Sequence, residues 1–149
     1  MAKVDELDIK ILKELKRDAR QSYRELAEKL KIAEGTVYNR VNKLKEMEVL
    51  KGFIADIDYG KLGHDLTAVI GVRVGKGKLP DIEEKISKES NVSAVYDVTG
   101  EYDALVVAKF KDRAGLNGLV KRILAMPEVD RTYTMVVLNV IKEEHGIKI

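Results

Sequence analysis

Residues 22–44 have the sequence SYRELAEKLKIAEGTVYNRVNKL, in which two short helical patterns flank a three-residue break. Ser22 is a candidate N-cap for the first pattern, and Glu25 follows it at the spacing of a capping box. The break is residues 31–33, and the second pattern runs over residues 34–47. A short helix, a tight turn and a second helix predict a helix-turn-helix.

The second of these helices has one apolar and one polar face. At about 100° per residue, Val37, Val41 and Leu44 cluster within roughly 60° of arc and are expected to face inward. The opposite face carries amides, hydroxyls and cations, which are groups that contact base edges and phosphates. We therefore predict a DNA-binding surface made of Gly35, Thr36, Tyr38, Asn39, Arg40 and Lys43.

Other interpretations of this helix remain open from the sequence. Three short amphipathic helices with charged outer faces also fit a small structural bundle. Arg40 lies at the edge of the polar arc, where it can pair instead with an acid of the helical region, such as Glu25 or Glu28. Tyr38 fits packing as well as a phosphate contact.

The helix-turn-helix is preceded by another helical pattern and followed by a change of period. Apolar residues recur on one face over residues 5–17, which predicts a first helix. Residues 53–58 alternate like a strand, and the glycine-containing residues 59–65 predict a connector. The expected domains are a helical domain at 1–52, a linker strand and connector at 53–65, and a second domain at 66–149.

The second domain alternates strand and helix patterns in the order β-α-β-β-α-β. This is the ferredoxin-like arrangement, with two helices on one face of a four-stranded antiparallel sheet. The predicted strands are 66–74, 92–99, 104–110 and 131–141, and the predicted helices are 79–89 and 113–125. The fold class is therefore predicted as α+β, a three-helix helix-turn-helix domain followed by a ferredoxin-like βαββαβ domain.

Both faces of this sheet are predicted to carry apolar side chains, although the two helices can cover only one. Val69, Val106, Ala108 and several residues of the last strand are assigned to the open face. An open apolar face needs a partner, and the simplest partner is a second copy of the chain. We therefore expect at least a homodimer.

Composition limits the classes of protein that the chain can belong to. Its 149 residues are 45% apolar and 35% charged, which is enough apolar content for a packed core, and the absence of cysteine excludes disulfides and cysteine-based zinc sites. Residues 1–52 hold 13 basic and 10 acidic side chains, a balance of +3 that is compatible with nucleic acid. No segment predicts a membrane span or secretory signal, so a cytoplasmic location is expected. Abundant Lys and Glu with a single Gln favour a thermophilic source, and a thermophilic archaeon is the candidate.

No motif in the chain supports an enzyme. Gly75, Lys76 and Gly77 lie between a predicted strand and helix, but Pro80 occupies the third glycine position of a dinucleotide-binding loop. His64 and His145 are the only histidines, and their spacing is not that of metal ligands. We expect no catalytic residue, no metal and no cofactor.

Three segments resemble one family in their order and spacing: LAEKL at 26–30, TVYNRVNKL at 36–44 and VTGEYD at 98–103. The chain is similar over nearly all its length to the leucine-responsive/asparagine regulator (Lrp/AsnC) family, the feast/famine transcription regulators. The resemblance implies a winged or extended helix-turn-helix followed by an effector-binding and assembly domain. It also implies dimers that assemble further, often to octamers, with a small amino acid bound between dimers.

The resemblance further implies where the effector binds. In this family a Thr-Gly-x-x-Asp turn and a Thr-x-Thr element of the last strand are associated with the effector. A carboxylate at the turn would accept the α-ammonium, and amides and hydroxyls would donate to the α-carboxylate, although a simple hairpin turn is the alternative. The matching residues are Thr99, Gly100, Glu101, Tyr102, Asp103, Thr132 and Thr134.

The chain departs from the family pattern at two places. Residues 31–33 read Lys-Ile-Ala where Gly-Leu-Ser is common, which removes a serine N-cap worth about 0.5–2 kcal/mol, and Glu48 stands where Gly is frequent. The resulting hypothesis is a sequence-specific DNA-binding transcription regulator whose assembly and binding to double-stranded DNA respond to an amino-acid effector. The alternative is an architectural, chromatin-like DNA-binding protein without an effector.

Overall fold

The computed structural model describes residues 3–75, 77–144 and 146–149, which form two compact units. The first unit extends to Asp56 and includes Glu144–Ile149, and the second is Ile57–Glu143. The sequence analysis placed residues 144–149 with the sheet domain instead. Within the first unit Lys16 Nζ donates a hydrogen bond to the Ile147 carbonyl, which gives the end of the chain a contact with the helices.

Three helices make up most of the first unit: α1 (Glu6–Arg17), α2 (Tyr23–Leu30) and α3 (Glu34–Glu46). The capping box predicted for α2 is confirmed, because Ser22 and Glu25 bond to each other's amides. Helix α1 has a similar box, formed by Asp5 and Asp8. Helix α3 begins after Ala33, which supplies no side-chain cap, as the missing serine predicted.

The core of the first unit lies between the three helices. The predicted inward residues of α3 (Val37, Val41 and Leu44) are all fully buried, and Ile11 of α1 and Leu26 of α2 are buried with them. Burying an aliphatic side chain of this size stabilises a fold by about 1.5–3 kcal/mol. This packing fixes the opposite, polar face of α3 toward solvent.

Two non-glycine residues of this unit have left-handed backbone conformations. Lys31, which ends α2, and Glu48, which follows α3, both have φ of 55°. These are positions at which the sequence departs from glycine. Because a side chain costs roughly 1–2 kcal/mol in this conformation, each of the two turns carries strain that glycine would remove.

The second unit is a four-stranded sheet with two helices, as the βαββαβ pattern predicted. The strand order is β2-β3-β1-β4, and each neighbouring pair is antiparallel. The predicted α+β fold is therefore confirmed. The elements are β1 (Leu66–Val74), α4 (Leu79–Ser87), β2 (Val92–Asp97), β3 (Ala104–Phe110), α5 (Arg113–Leu124) and β4 (Val129–Val136).

The helices cover one face of the sheet, where alternate residues of β1 and β3 are fully buried. Ile70 pairs with Val106, and residues paired in this way point to the same face of the sheet. Ile82 of α4 and Ile123 of α5 pack into the same core. The other face, which we call the open face, has no helix over it among the described residues.

The register corrects the predicted assignment of β3 to the open face. Val106 and Ala108 pair with Ile70 and Ala68, so they face the helices and are fully buried. Leu105 and Val107 take the open face instead. The alternation of β3 was visible in its sequence, but both of its faces are apolar, so the pattern could not say which set faces the helices.

One predicted strand is absent from the described structure, and another ends earlier than predicted. Residues 53–58 form no strand there, and Phe53 and Ile54 are exposed. Strand β4 ends at Val136, five residues before the predicted end at 141, although the Val137 amide still donates to the Thr67 carbonyl at 2.9 Å. Neither residues 53–58 nor residues 138–141 have a neighbouring strand to pair with in the described part of the chain.

Candidate functional site

The exposed surface of α3 begins with a small group of uncharged residues. Gly35, Tyr38 and Asn39 are exposed, and Thr36 beside them is half-buried. The Tyr38 ring contacts the Tyr23 ring edge-on, with centroids 6.1 Å apart, so it both packs and remains exposed. Among the described residues, none forms a hydrogen bond with the Asn39 side chain. These groups are free to meet a ligand.

The two basic residues of the predicted surface are bonded to α1 instead of being free. Arg40 Nη1 donates to a carboxylate oxygen of Asp5 and to Asp8 Oδ1, the latter at 3.1 Å. Lys43 Nζ donates to Asp8 Oδ2 at 2.8 Å and to the Lys3 carbonyl at 3.0 Å. We call these four side chains, Asp5, Asp8, Arg40 and Lys43, the α1–α3 ion cluster.

Arg40 therefore has an acidic partner, as the alternative interpretation allowed, but not one of the partners named for it. Glu25 is held in the capping box of α2, and Glu28 pairs with Arg24 at 3.1 Å. The acids that bind Arg40 lie 32 and 35 residues away along the chain. Helix packing alone creates this pairing, so no local sequence signal marks it.

Both carboxylates of the ion cluster are held in the ionised form. The hydrogen bond from Arg40, together with one from the Asp8 amide, lowers the pKa of Asp5 to about 2. Burial of Asp8 opposes its ionisation, but hydrogen bonds from Lys43, the Asp5 amide and Arg40 still hold its pKa below the usual range. Two carboxylates thus face two cations, and the cluster is neutral overall near pH 7.

The turn between β2 and β3 borders the second candidate site. Thr99, Glu101 and Tyr102, all predicted to bind the effector, line an open pocket of about 580 Å³. Its remaining lining residues are Asp97, Val98 and Leu105. Gly100 has φ of 122°, a conformation that side chains rarely adopt, so glycine is needed to form this turn.

The ring of Tyr102, a residue of the turn between β2 and β3, lies against β1. A Cβ atom on Gly71 of β1 would come within 2.8 Å of the Tyr102 ring, and the ring stacks on Tyr133 of β4 at 6.0 Å and 25°. Sequence reasoning missed both Gly71 and Tyr133. A glycine in the middle of an apolar strand was the available signal, because it often marks a close approach.

Asp103 and Glu101 connect the turn to the sheet. Asp103 Oδ2 accepts a hydrogen bond from the Val74 amide at 2.8 Å. The Glu101 carbonyl accepts one from Arg73, and its carboxylate pairs with Arg131 at 3.0 Å. Both arginines were absent from the predicted site, because each lies on a strand far from the turn in sequence.

The predicted threonines of β4 do not line this pocket within one chain. Thr132 pairs with Val72 and Thr134 with Ile70, which places both on the face of the sheet that the helices cover. Tyr133, between them, points to the open face with Tyr102. The described chain therefore divides the predicted effector residues between two faces of the sheet.

Other candidate chemistry finds little support in the described residues. There, no group of three or more histidine, aspartate or glutamate side chains could hold a metal ion. None of the helices described is both long and apolar enough to cross a membrane. Lys76 of the glycine-flanked turn and His145 lie outside the described residues.

Two family models match the chain. The model of a winged helix-turn-helix DNA-binding domain matches residues 4–51, and the model of the Lrp/AsnC ligand-binding domain matches residues 67–147. An uncharacterised HTH-type transcriptional regulator of Pyrococcus furiosus is 47% identical over 97% of this chain and 98% of its own length. The regulator FL11 of Pyrococcus horikoshii is 37% identical over 94% and 93%. These thermophilic archaeal sources agree with the expectation from composition.

Solved structures show the same similarity. E. coli AsnC matches with a TM-score of 0.88 and 27% identity, covering 97% of this chain and 99% of that one. A Neisseria meningitidis transcriptional regulator in complex with L-Met matches with a TM-score of 0.88 and 25% identity, covering 98% and 97%. The chain belongs to the Lrp/AsnC family, and it is a DNA-binding transcription regulator and not an enzyme.

Proposed function

We propose that this regulator recognises specific DNA sequences through α3, in the cytoplasm, and that a small amino acid bound beside the β2–β3 turn controls the recognition. The observation that carries the first part is the exposed group on α3. Asn39 presents an unbonded amide, and an amide can both donate to and accept from an adenine edge in the major groove. Gly35 and Thr36 would allow close approach of the helix, and Tyr38 would contact the backbone.

Arg40 and Lys43 have a different role in this proposal from the one their position first suggests. In the described contacts of Arg40 only Nη1 has an acceptor, so Nε and Nη2 remain available to a phosphate or a guanine. Lys43 is bonded through its single nitrogen to Asp8 and Lys3. We therefore expect Asn39 and Arg40 to carry sequence information, and Lys43 to contribute less.

The test for recognition uses Asn39→Ala, because this change breaks no side-chain hydrogen bond among the described residues. Removing a base contact should cost about 1–3 kcal/mol in binding to an operator selected from a random pool, and leave binding to random duplex unchanged. Competition binding at fixed salt measures both. Equal operator binding by Asn39→Ala and wild type would contradict the placement of α3. Arg40→Ala is less suitable, because it leaves the buried Asp8 carboxylate with one cation fewer.

The same samples separate a regulator from an architectural protein. Discrete protected sites on a long duplex support the proposed function. Uniform protection along the duplex would favour the chromatin-like alternative. No described feature of the chain favours that alternative at present.

The effector proposal rests on the chemistry around the pocket. Asp97 and Glu101 line the pocket with carboxylates for an α-ammonium, and Tyr102 and Leu105 offer apolar contact for a side chain. Asp103 lies in the same turn, just before β3. Asp103 Oδ2 accepts from the Val74 amide and lies 3.8 Å from Arg73 Nε, so Oδ1 is the oxygen we propose for the ligand. The family model names a ligand-binding domain, and one structural relative was solved with L-Met. Thr132 and Thr134 would have to join the site from a neighbouring copy.

A thermal-shift panel of the amino acids, followed by calorimetry with the best ligand, tests this proposal. Asp103→Ala should weaken binding at least tenfold while circular dichroism shows a folded protein. Glu84→Gln changes an acid on α4 whose ion-pair partner among the described residues is Lys88; it is the control and should bind normally. Full-strength binding by folded Asp103→Ala would place the effector elsewhere, and no shift with any amino acid would contradict the effector itself.

Assembly is the third part of the proposal. Tyr96, Tyr133 and Met135 on or beside the open face are 40–56% exposed in one chain. A second sheet packed on this face would bury them, so we propose a homodimer that assembles further, with an octamer as the candidate end state. The effector would then favour one assembly state and change how the α3 helices are spaced on DNA.

A further inference from the structure

The α1–α3 ion cluster puts acidic side chains where a DNA-binding helix ordinarily needs positive charge. Helix α3 carries three basic residues, Arg40, Lys43 and Lys45, and two acidic ones, Glu34 and Glu46. Two of the three cations are paired with Asp5 and Asp8. With those two neutralised, Lys45, whose ammonium lies 5.9 Å from the Phe53 ring centroid, is left against two acids, so the charges of the helix itself give no net attraction to a polyanion.

The carboxylates of the cluster are fixed, whereas the cations are at the ends of long side chains. Asp5 Oδ1 accepts hydrogen bonds from the Leu7 and Asp8 amides, each at 3.0 Å, as the N-cap of α1. Asp8 is fully buried, and its Oδ2 accepts a further hydrogen bond from the Asp5 amide at 3.1 Å. The acids therefore cannot turn away when DNA approaches, and phosphates must compete with them for Arg40 and Lys43.

This competition matters because non-specific DNA binding depends on free cations. Each phosphate that a protein neutralises adds about 0.9 to the slope of log affinity against log salt. A cation already paired with a buried carboxylate adds less, since its charge is compensated before DNA arrives. Base-edge contacts such as those proposed for Asn39 are not reduced in this way.

We propose that Asp5 and Asp8 are specificity-determining residues, which act as internal counter-charges and keep this regulator from binding DNA without regard to sequence. The inference rests on the proposed placement of α3 against DNA. The inference predicts that removing one of these acids raises the affinity of the protein for random-sequence duplex DNA. A purely structural role for the same acids predicts unchanged or weaker binding.

Asp5→Asn is the main variant, because asparagine is as good an N-cap as aspartate and Asp5 is half exposed. Glu6→Gln is the matched control: it changes the net charge equally, in the same turn of α1. Glu6 is exposed and forms no hydrogen bond or ion pair with the other described residues. Any effect of net charge alone appears in both variants.

The measurement is binding of the full-length protein to random-sequence duplex over a salt series. At low salt we expect Asp5→Asn to bind about three- to tenfold more tightly than Glu6→Gln, with a salt slope steeper by up to about 0.9. The ratio of operator to random affinity should fall by a similar factor. Asp8→Asn, used where circular dichroism shows it folded, should change affinity and slope in the same direction, because it frees Lys43 while Arg40 keeps Asp5.

Equal affinities and slopes for Asp5→Asn and Glu6→Gln would overturn the inference, as would weaker random-sequence binding by folded Asp5→Asn. The Asn39→Ala experiment separates this failure from failure of the proposed function. If Asn39→Ala loses operator discrimination while Asp5→Asn behaves as its control, α3 reads DNA and the counter-charge role is wrong. If Asn39→Ala changes nothing, the placement of α3 fails first.

Discussion

The candidate functional surfaces of the two units differ in whether their side chains already have partners within one chain. In the helical unit, Arg40 and Lys43 of α3 already have acidic partners, and the fully buried Asp8 carboxylate is at the centre of their network. In the sheet unit, the open face leaves large apolar and aromatic side chains exposed, Tyr133 by 55%. The charged residues of the first surface have their partners within the folded monomer. For the second surface, we propose that another copy of the chain covers the exposed side chains.

The difference reflects how each unit forms its core. Three helices enclose a core between them, so the outer surface is left to polar groups. A sheet has two faces, and α4 and α5 can cover only one of them. Apolar residues on the second face therefore predict association, whereas paired charges on a helix surface predict selectivity.

The largest expected effect is the difference between substituting two neighbouring residues of β3, Val106 and Val107. Val106 is fully buried under the helices, so Val106→Asp would bury an unpaired charge and unfold the sheet unit, a cost of several kcal/mol. Val107 is on the open face, so Val107→Asp should leave the monomer folded and dissociate the assembly. Circular dichroism and light scattering at micromolar concentration measure the two outcomes. If the assembly survives Val107→Asp, the open face is not the dimer surface and the contrast between the units is lost.

A second substitution tests whether the open face is shaped by Tyr102. Gly71→Ala places a Cβ about 2.8 Å from the Tyr102 ring, so the ring must move, and we expect a loss of roughly 1–3 kcal/mol in unfolding free energy. Chemical denaturation of the full chain gives the value. The double variant Gly71→Ala with Tyr102→Ala removes the clash, and should lose less than the two single changes together. Strict additivity would show that the two residues do not interact.

Two further substitutions test whether the left-handed turns of the helical unit carry backbone strain. Lys31→Gly and Glu48→Gly replace side chains at left-handed positions, and each should stabilise the helical unit by about 1 kcal/mol. Thermal unfolding followed at the helix signal measures this gain. Glu46→Gly, within α3, is the control and should destabilise by about 1 kcal/mol. A loss of stability at position 31 would mean that the lysine makes a contact worth more than the strain.

The smallest expected effect is acid sensitivity of the ion cluster. Because the pKa of Asp5 is lowered to about 2 in the folded chain, its ionised form stabilises the helical unit at neutral pH. This contribution is complete above about pH 4 and is lost as the pH falls toward 2. Asp5→Asn cannot titrate, so its stability should depend less on pH in that window than that of wild type. Identical acid-unfolding profiles for the two proteins would show that Arg40 gives Asp5 no net stabilisation.

Local patterns were sufficient for most of the fold. The apolar period of α3 identified Val37, Val41 and Leu44 as its buried residues, and the spacing of Ser22 and Glu25 identified the cap of α2. These features depend on residues three or four positions apart. The order of strands and helices in the second unit was predictable for the same reason.

Features that join distant residues were not predictable in this way. The partners of Arg40 are on another helix, and alternation in β3 identified two faces without saying which one the helices cover. Residues 53–58 alternate like a strand, but a strand needs a neighbour, and the described chain provides none there. The candidate effector turn was found only by family resemblance, and its contacts with Arg73 and Arg131 required the structure.

The contact of Tyr102 with Gly71 and Tyr133 gives the protein a built-in optical reporter. The chain has six tyrosines and no tryptophan, so no indole emission masks its phenol fluorescence. Tyr102 lines the pocket on one side and stacks on Tyr133 of β4 on the other. Any ligand that displaces the ring changes this stacked pair, so occupancy of the pocket can be followed in the unlabelled protein by its tyrosine emission, without a dye or an engineered probe.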